Sequence, residues 1–216
     1  APLFMLIQRF FGLFAGGDVS KAAMMINAWS AIASGLTILF LFWTITHFAK
    51  KLMVPSNADV EPTGLQTTLI MGSGLVGALA YTFSDTFWFS AVEAEVYATS
   101  SFFTALVFWA ILKWEHIADQ KYADRWLVFI AYMMGLSVGI HLLNLLAIPA
   151  VAMVYYYKRY TPTTSGSIIA FIVGCVLLAF VQFGVLQGVP ILASKLDLLF
   201  VNSFGLPFDS GALFSI

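Results

Sequence analysis

The sequence predicts an all-α integral membrane protein, a polytopic helix bundle of about six spans with interfacial helices on one face. Three observations carry that expectation. Of the 216 residues, 61% are hydrophobic and 10% charged, against about half and a quarter in soluble domains, which leaves too little polar surface to cover the chain in water. The apolar residues come in long runs, several of them close to the ~20 residues that a helix needs to cross a hydrocarbon core. The basic residues gather in loops on one side of those runs, as the positive-inside rule asks.

The first segment, 2–14, reads PLFMLIQRFFGLF, with Leu3, Ile7, Phe10, Phe11 and Phe14 at helical spacing and Gln8 and Arg9 as a small polar face. It is too short to span, so an interfacial helix is expected; a signal-peptide remnant would need a positive n-region. Gly16, Gly17 and Asp18 break it. Spans are then expected at 22–48, 66–83 and 91–113. Lys50 and Lys51 close the first, and a polar loop with Asp59 and Glu61 follows at 55–64. Ser73 and Gly77 give the second span a small-xxx-small pair suited to close helix packing. Residues 84–89 read as an aromatic-rich connector, and a charged loop through Glu115, Asp119, Lys121, Asp124 and Arg125 follows the third span.

Residues 126–157 would measure about 48 Å as one straight helix, well beyond the roughly 30 Å core. Basic residues flank both ends: Lys121 and Arg125 before, Lys158 and Arg159 after. A hairpin of two short arms, 126–140 and 142–157, turning near His141 and Asn144, satisfies both constraints; a single tilted span would invert everything after it. The last span is expected at 167–187. Gly188 and Pro190 break it, and a second interfacial helix, 191–204, carries Lys195 and Asp197. The whole of 1–216 is expected to form one transmembrane domain. Opening at Ala1 and ending at Ile216 in a run turning apolar again, the chain reads as a fragment of a longer protein.

This layout puts Lys50, Lys51, Lys113, Lys121, Arg125, Lys158 and Arg159 on the inner side, leaving Arg9, Lys21 and Lys195 of the ten basic residues outside. The outer side also receives Asp18, Asp85, Glu93, Glu95, Asp197 and Asp209. A net charge of −1 and the lack of a basic run give nucleic acid nothing to bind. Cys175 is the single cysteine, so neither an intrachain disulfide nor a cysteine-based zinc cluster is possible. No P-loop, no Gly-rich dinucleotide turn opening a helix after a strand and no HExxH is present.

The candidate site is 84–97, SDTFWFSAVEAEVY, together with GIHLLN at 139–144. Ser90 and Glu93 match a capping box, which accounts for Glu93 structurally. Glu95 lies two positions on and cannot share that cap. A carboxylate where a helix enters the membrane needs a partner, water or a ligand, because charge inside a bilayer costs at least ~2.5 kcal/mol. Ser137, His141 and Asn144 fall at i, i+4 and i+7, one polar stripe that serves either interhelical hydrogen bonds or a ligand. Gly135 and Gly139 form a GxxxG pair. Trp88, with Phe87, can line a sugar or lipid path. Phe89, Tyr97, Trp109, Trp114 and Trp126 read as an aromatic belt. Arg9 and Lys195 either hold a phosphate or snorkel to the interface.

Three stretches, 86–109 (TFWFSAVEAEVYATSSFFTALVFW), 123–150 (ADRWLVFIAYMMGLSVGIHLLNLLAIPA) and 1–27 (APLFMLIQRFFGLFAGGDVSKAAMMIN), resemble a bacterial family of multi-span proteins that is similar to protein O-mannosyltransferases. The resemblance covers essentially the whole chain and implies membership of the GT-C glycosyltransferase superfamily. It implies a polyprenyl-phosphate sugar as donor and a secreted protein or envelope glycan as acceptor. It also implies a location in the bacterial inner membrane with the site facing the periplasm. In that family an acidic residue of the first outer loop deprotonates the acceptor hydroxyl, and its stretch precedes the segment matching 1–14. Glu95 and Glu93 match the second-loop motif, which implies supporting catalytic or acceptor-binding roles. Substrate contacts are expected from Arg9, Trp88, His141, Asn144 and Lys195. No metal ligands are expected. Two rival readings stay open: a transporter using Glu95 and His141 as a relay, and a noncatalytic membrane scaffold.

Overall fold

The computed structural model describes residues 1–54 and 61–211, so the loop residues 55–60, including Asp59, lie outside it. Every regular element among the described residues is helical. The chain divides into two compact units, Ala1–Ala147 and Ile148–Ile216.

The first unit opens with α1 (Pro2–Gly12), extended by a 3-10 turn at Leu13–Ala15. Gly16 and Gly17 follow with φ of 60° and 88°, left-handed backbone that glycine adopts without a Cβ clash. Asp18 then caps α2 (Val19–Met53), its carboxylate accepting from the Ser20 and Lys21 N–H groups at 2.9 and 3.4 Å. The 35 residues of α2 make a rod about 52 Å long, longer than a hydrocarbon core. Thr63 and Gln66 form a reciprocal capping box at the start of α3 (Gly64–Thr82). Three further helices, α4 (Asp85–Val92), α5 (Val96–Ile117) and α6 (Arg125–Val138), complete the unit with a 3-10 segment at Leu142–Ala147.

Side-chain contacts fix the directions. Trp29 meets Thr99 near the starts of α2 and α5, and Lys51 meets Glu115 near their ends, so these two helices run parallel. Packed on α2, α3 returns antiparallel: Gly77 faces Ile45, and the Gln66 amide donates to the Met53 carbonyl at 3.0 Å. Against α5, α6 is antiparallel, with Trp109 beside Trp126 (5.6 Å) and Phe103 clustered with Ile140. The basic residues Lys50, Lys51, Lys113, Lys121 and Arg125 therefore share one end of the unit. The opposite end collects α1, α4 and the chain breaks after α3, α4 and α6.

Ser30, Ser34 and Thr37 of α2 and Thr99 and Ser100 of α5 are all buried, side chains small enough to let helix backbones approach closely. A Cβ at Gly74 would come within 2.5 Å of Thr46, and one at Gly77 within 2.6 Å of Ile45. Close packing on α3 thus uses Gly77 as expected, but with Gly74 rather than Ser73, whose hydroxyl donates back to the Ile70 carbonyl.

Residues 84–89 are not a connector: α4 is a helix, bent 69° from α3. Its burial of Phe87 against Tyr81 (ring centroids 4.4 Å) rewards the helical turn that the local sequence leaves undecided. As a result α5 begins at Val96, five residues later than the 91 expected.

In the second unit α7 (Ile148–Arg159) packs antiparallel on α8 (Thr164–Ala179), with Gly174 against Pro149 and the Tyr157 and Ser167 hydroxyls 2.9 Å apart. A π-helical turn, Phe180–Val185, leads into α9 (Gly188–Phe204), and the whole forms one helical run of 41 residues. Gly188 and Pro190 therefore do not end the helical run. Pro190 falls in the first turn of α9, where its missing N–H has no intrahelical partner to lose. The wide turn, with the Leu186 N–H donating to the Val181 carbonyl at 3.0 Å, carries the chain into it.

Among the described residues three helical runs are long and apolar enough to cross a membrane, Val19–Met53, Val96–Ile117 and Thr164–Phe204, and a fourth if α3 and α4 count as one broken span. The arms expected at 126–140 and 142–157 correspond to helices of 14 and 12 residues, each shorter than the ~20 that a straight crossing takes. The long helix weighed for 126–157 is interrupted: α6 stops at Val138 and α7 starts at Ile148.

Candidate functional site

The break-rich end of the first unit is built around α1. At about 100° per residue, Leu3, Phe4, Ile7 and Phe11 form one face, and they pack with Phe103 and Val96 of α5, Ile140 after α6 and Trp29 of α2. Leu6, Phe10, Leu13 and Phe14 form a second face that stays exposed. Arg9 and Gly12 lie on a third, and Arg9 is exposed there. One helix thus carries a bundle-facing side and a wide open side that is apolar except for Arg9, the pattern of a helix lying at a membrane surface.

Two hydrogen bonds tie α1 to the breaks. The Leu3 N–H, one of the free donors of a helix start, donates to the Gly139 carbonyl at 3.0 Å, one of the free acceptors where α6 ends. A Cβ at Gly139 would meet the Leu3 Cβ at 2.9 Å. Of the expected GxxxG pair, Gly139 makes the close approach and Gly135 faces open space. The second bond runs from the Gln8 side-chain amide to the Ala94 carbonyl at 3.2 Å.

Ala94 sits between the two glutamates. Ser90 is inside α4, its hydroxyl donating to the Thr86 carbonyl at 3.0 Å, so the expected Ser90–Glu93 capping box does not form. Glu93 is instead the residue that closes α4, and Glu95 the residue that opens α5, each extended and without a side-chain cap bond. The Glu95 N–H donates to the Glu93 carbonyl at 2.8 Å, a tight turn about Ala94. Both carboxylates are exposed, and Glu95 lies at the positive end of the α5 dipole.

His141 occupies the break after α6. Its Nδ1 accepts the Leu143 N–H at 3.1 Å, which in a neutral ring leaves the proton on Nε2. The ring lies beside Tyr97, centroids 5.8 Å apart, and so next to the first turn of α5. No hydrogen bond or ion pair joins His141 to Glu95 among the described residues. Asn144 has no exposed surface; its amide donates to the Ser137 hydroxyl at 3.0 Å, and that hydroxyl donates to the Met134 carbonyl at 2.7 Å. The stripe expected of Ser137, His141 and Asn144 is therefore split: the first and third bond each other in the interior, while His141 stands apart in the break.

Trp88 is about half exposed on α4 and stacks on Phe83 (6.2 Å, 17° between planes). Lys195 is exposed on α9 and belongs to the second unit. The aromatic belt needs correcting at Trp114, which is fully buried with its indole N–H directed to Asp124 at 3.4 Å. Trp109 and Trp126, each half-buried, pack in a cluster with Phe40 and Trp43. No three His, Cys, Asp or Glu side chains gather as a metal site among the described residues.

Sequence reasoning missed Gln8 as a tether and Tyr97 as the neighbour of His141. A polar residue at the edge of the packed face of α1 was the available signal for Gln8. At the basic end it also missed Glu115, which Lys51 bonds and His47 approaches at 3.7 Å; the i, i+4 spacing of His47 and Lys51 on α2 was the signal there.

The fold and this end of it define a helical membrane protein whose polar chain breaks converge beneath one surface helix. Within that class, the chain belongs to the family described as the protein O-mannosyl-transferase TMEM260 N-terminal domain, whose model matches residues 1–164. That stretch takes in the first unit and α7. No curated protein and no solved structure matches the chain.

Proposed function

We propose that this chain is the membrane part of a glycosyltransferase that moves a sugar from a polyprenyl-phosphate carrier to a hydroxyl of a secreted protein or envelope glycan, on the non-cytoplasmic face. The observation that carries the reading is the family match over 1–164. The geometry supports it. The Glu93–Ala94–Glu95 turn, Tyr97 and His141 share one end of the first unit, and Lys50, Lys51, Lys113, Lys121 and Arg125 share the other. With basic loops inside, the glutamates face outside, in a GT-C-like arrangement within the bacterial inner membrane.

In this reaction the acceptor oxygen attacks the anomeric carbon, the bond from that carbon to the phosphate oxygen breaks, and polyprenyl phosphate leaves with the electron pair. A carboxylate takes the acceptor proton, which is general-base chemistry. Glu95, at the positive end of α5, orients the acceptor or supports the base, and Glu93 stands beside it. His141 donates from Nε2 to the donor phosphate or a sugar hydroxyl, with Arg9 supplying charge at the surface. Trp88 offers an aromatic face to the sugar or lipid, and Asn144 acts from the interior by holding the break that carries His141. A lipid-carried donor reaches such a site laterally, through the membrane.

The test is native mass spectrometry of the full-length, detergent-purified protein offered a polyprenyl-phosphate sugar and a nucleotide sugar. The expected result is an adduct with the lipid-linked sugar only. Binding of the nucleotide sugar alone would defeat the mechanism, and proton-coupled solute uptake into liposomes without transfer would favour a transporter.

A further inference from the structure

We propose that Gln8 is a positioning residue, and that α1 is the strap setting the Glu93–Ala94–Glu95 turn against the His141 break. The inference rests on the glycosyltransferase reading for its consequence, but its geometry stands on its own. Two breaks carry the polar groups of this end, and both hang from α1: the Gln8 amide holds the Ala94 carbonyl at 3.2 Å, and the Leu3 N–H holds the Gly139 carbonyl at 3.0 Å. The linker between α4 and α5 has no such support from its own end, since Glu95 opens α5 without a side-chain cap bond; the break after α6 is also held by His141 on the Leu143 N–H and by Asn144 on Ser137.

Gln8 lies one turn of helix from Phe4 and next to Ile7, which are packed on Phe103 and Ile140. Its backbone is thereby fixed, and its amide reaches the linker from a rigid platform. A side chain bonding across 86 residues of sequence to the one peptide between two carboxylates sets where both carboxylates sit. Glutamine suits the task because its amide donates and has the needed length. Methionine matches it in length without a donor, and glutamate matches it in length but, ionised, only accepts.

The test uses the full-length protein and two readouts. Hydrogen exchange should be faster at amides 93–97 in Gln8→Met and Gln8→Glu, with amides 105–117 of α5 unchanged. Transfer from the lipid-linked donor should fall about tenfold in Gln8→Met with the donor KM within about twofold. That loss should largely vanish when measured on a Glu95→Gln background, because residues acting through one another are non-additive. Unchanged exchange at 93–97, or an equal tenfold loss on both backgrounds, would overturn the proposal, the latter marking a general structural role. Faster exchange with undiminished transfer would overturn it too. A wild-type protein that transfers nothing defeats the glycosyltransferase reading instead, and the strap then stands or falls on exchange alone.

Discussion

Ser137 and Asn144 hold the interior of the break beside His141 through one chain of donors, from the Asn144 amide to the Ser137 hydroxyl to the Met134 carbonyl. Removing the middle member leaves a fully buried amide without an acceptor, a cost of about 1–3 kcal/mol. Ser137→Ala should therefore lower stability by that amount in reversible unfolding in detergent. Ser137→Ala with Asn144→Leu should recover part of it, since no orphaned donor then remains. An equal or greater loss in the double variant would mean that the pair matters by shape and not by hydrogen bonding. At this scale the sequence spoke through spacing. It singled out Ser137, His141 and Asn144 together, but spacing on an assumed helix could not reveal that the helix stops at Val138 and sends His141 to a different neighbour.

Among the elements, α3 gives the sharpest contrast. Gly74 and Gly72 are two residues apart, yet a Cβ on Gly74 would strike Thr46 and Phe42 of α2, while one on Gly72 meets nothing within 4 Å. Gly74→Ala should destabilise by about 1–3 kcal/mol through overpacking. Gly72→Ala should be neutral or stabilising by up to about 1 kcal/mol, as alanine is the better helix former. Thermal unfolding of the two variants side by side checks this, and equal shifts would refute the α2–α3 packing. Long apolar runs made α2, α3 and the body of α5 readable from the sequence, because burial in lipid and helix formation call for the same residues. The junctions were less readable. A Ser-x-x-Glu sequence fits a helix start, and only the packing of Phe87 on Tyr81 decides that Ser90 belongs to the preceding helix. The same holds at Gly188 and Pro190, which look like a stop but follow a π-helical turn that accommodates them.

For the molecule as a whole, the segregation of basic residues at one end of the first unit turns a structural fact into a topology. With Cys175 replaced by serine, a single cysteine at Asp85 should react with an impermeant thiol reagent in intact cells, while one at Gln120 should be shielded. The reverse pattern would put the glutamates on the cytoplasmic side, away from any lipid-carried donor displayed outside. Composition and charge made the membrane class readable, and the wording of three stretches made the likeness to O-mannosyltransferases readable. The placement of α1 across the breaks was not, since it depends on contacts between residues far apart in sequence. The central claim, that this end performs glycosyl transfer with help from Glu95, is tested most directly by transfer from a polyprenyl-phosphate sugar to an acceptor, comparing full-length wild type with Glu95→Gln at matched membrane yield. We predict that the wild type transfers and that Glu95→Gln is slower by about 100-fold, the lower range for a positioned acid–base group. Equal rates in the two proteins would contradict the role given to Glu95, and a wild type active only with a nucleotide sugar would contradict the mechanism itself.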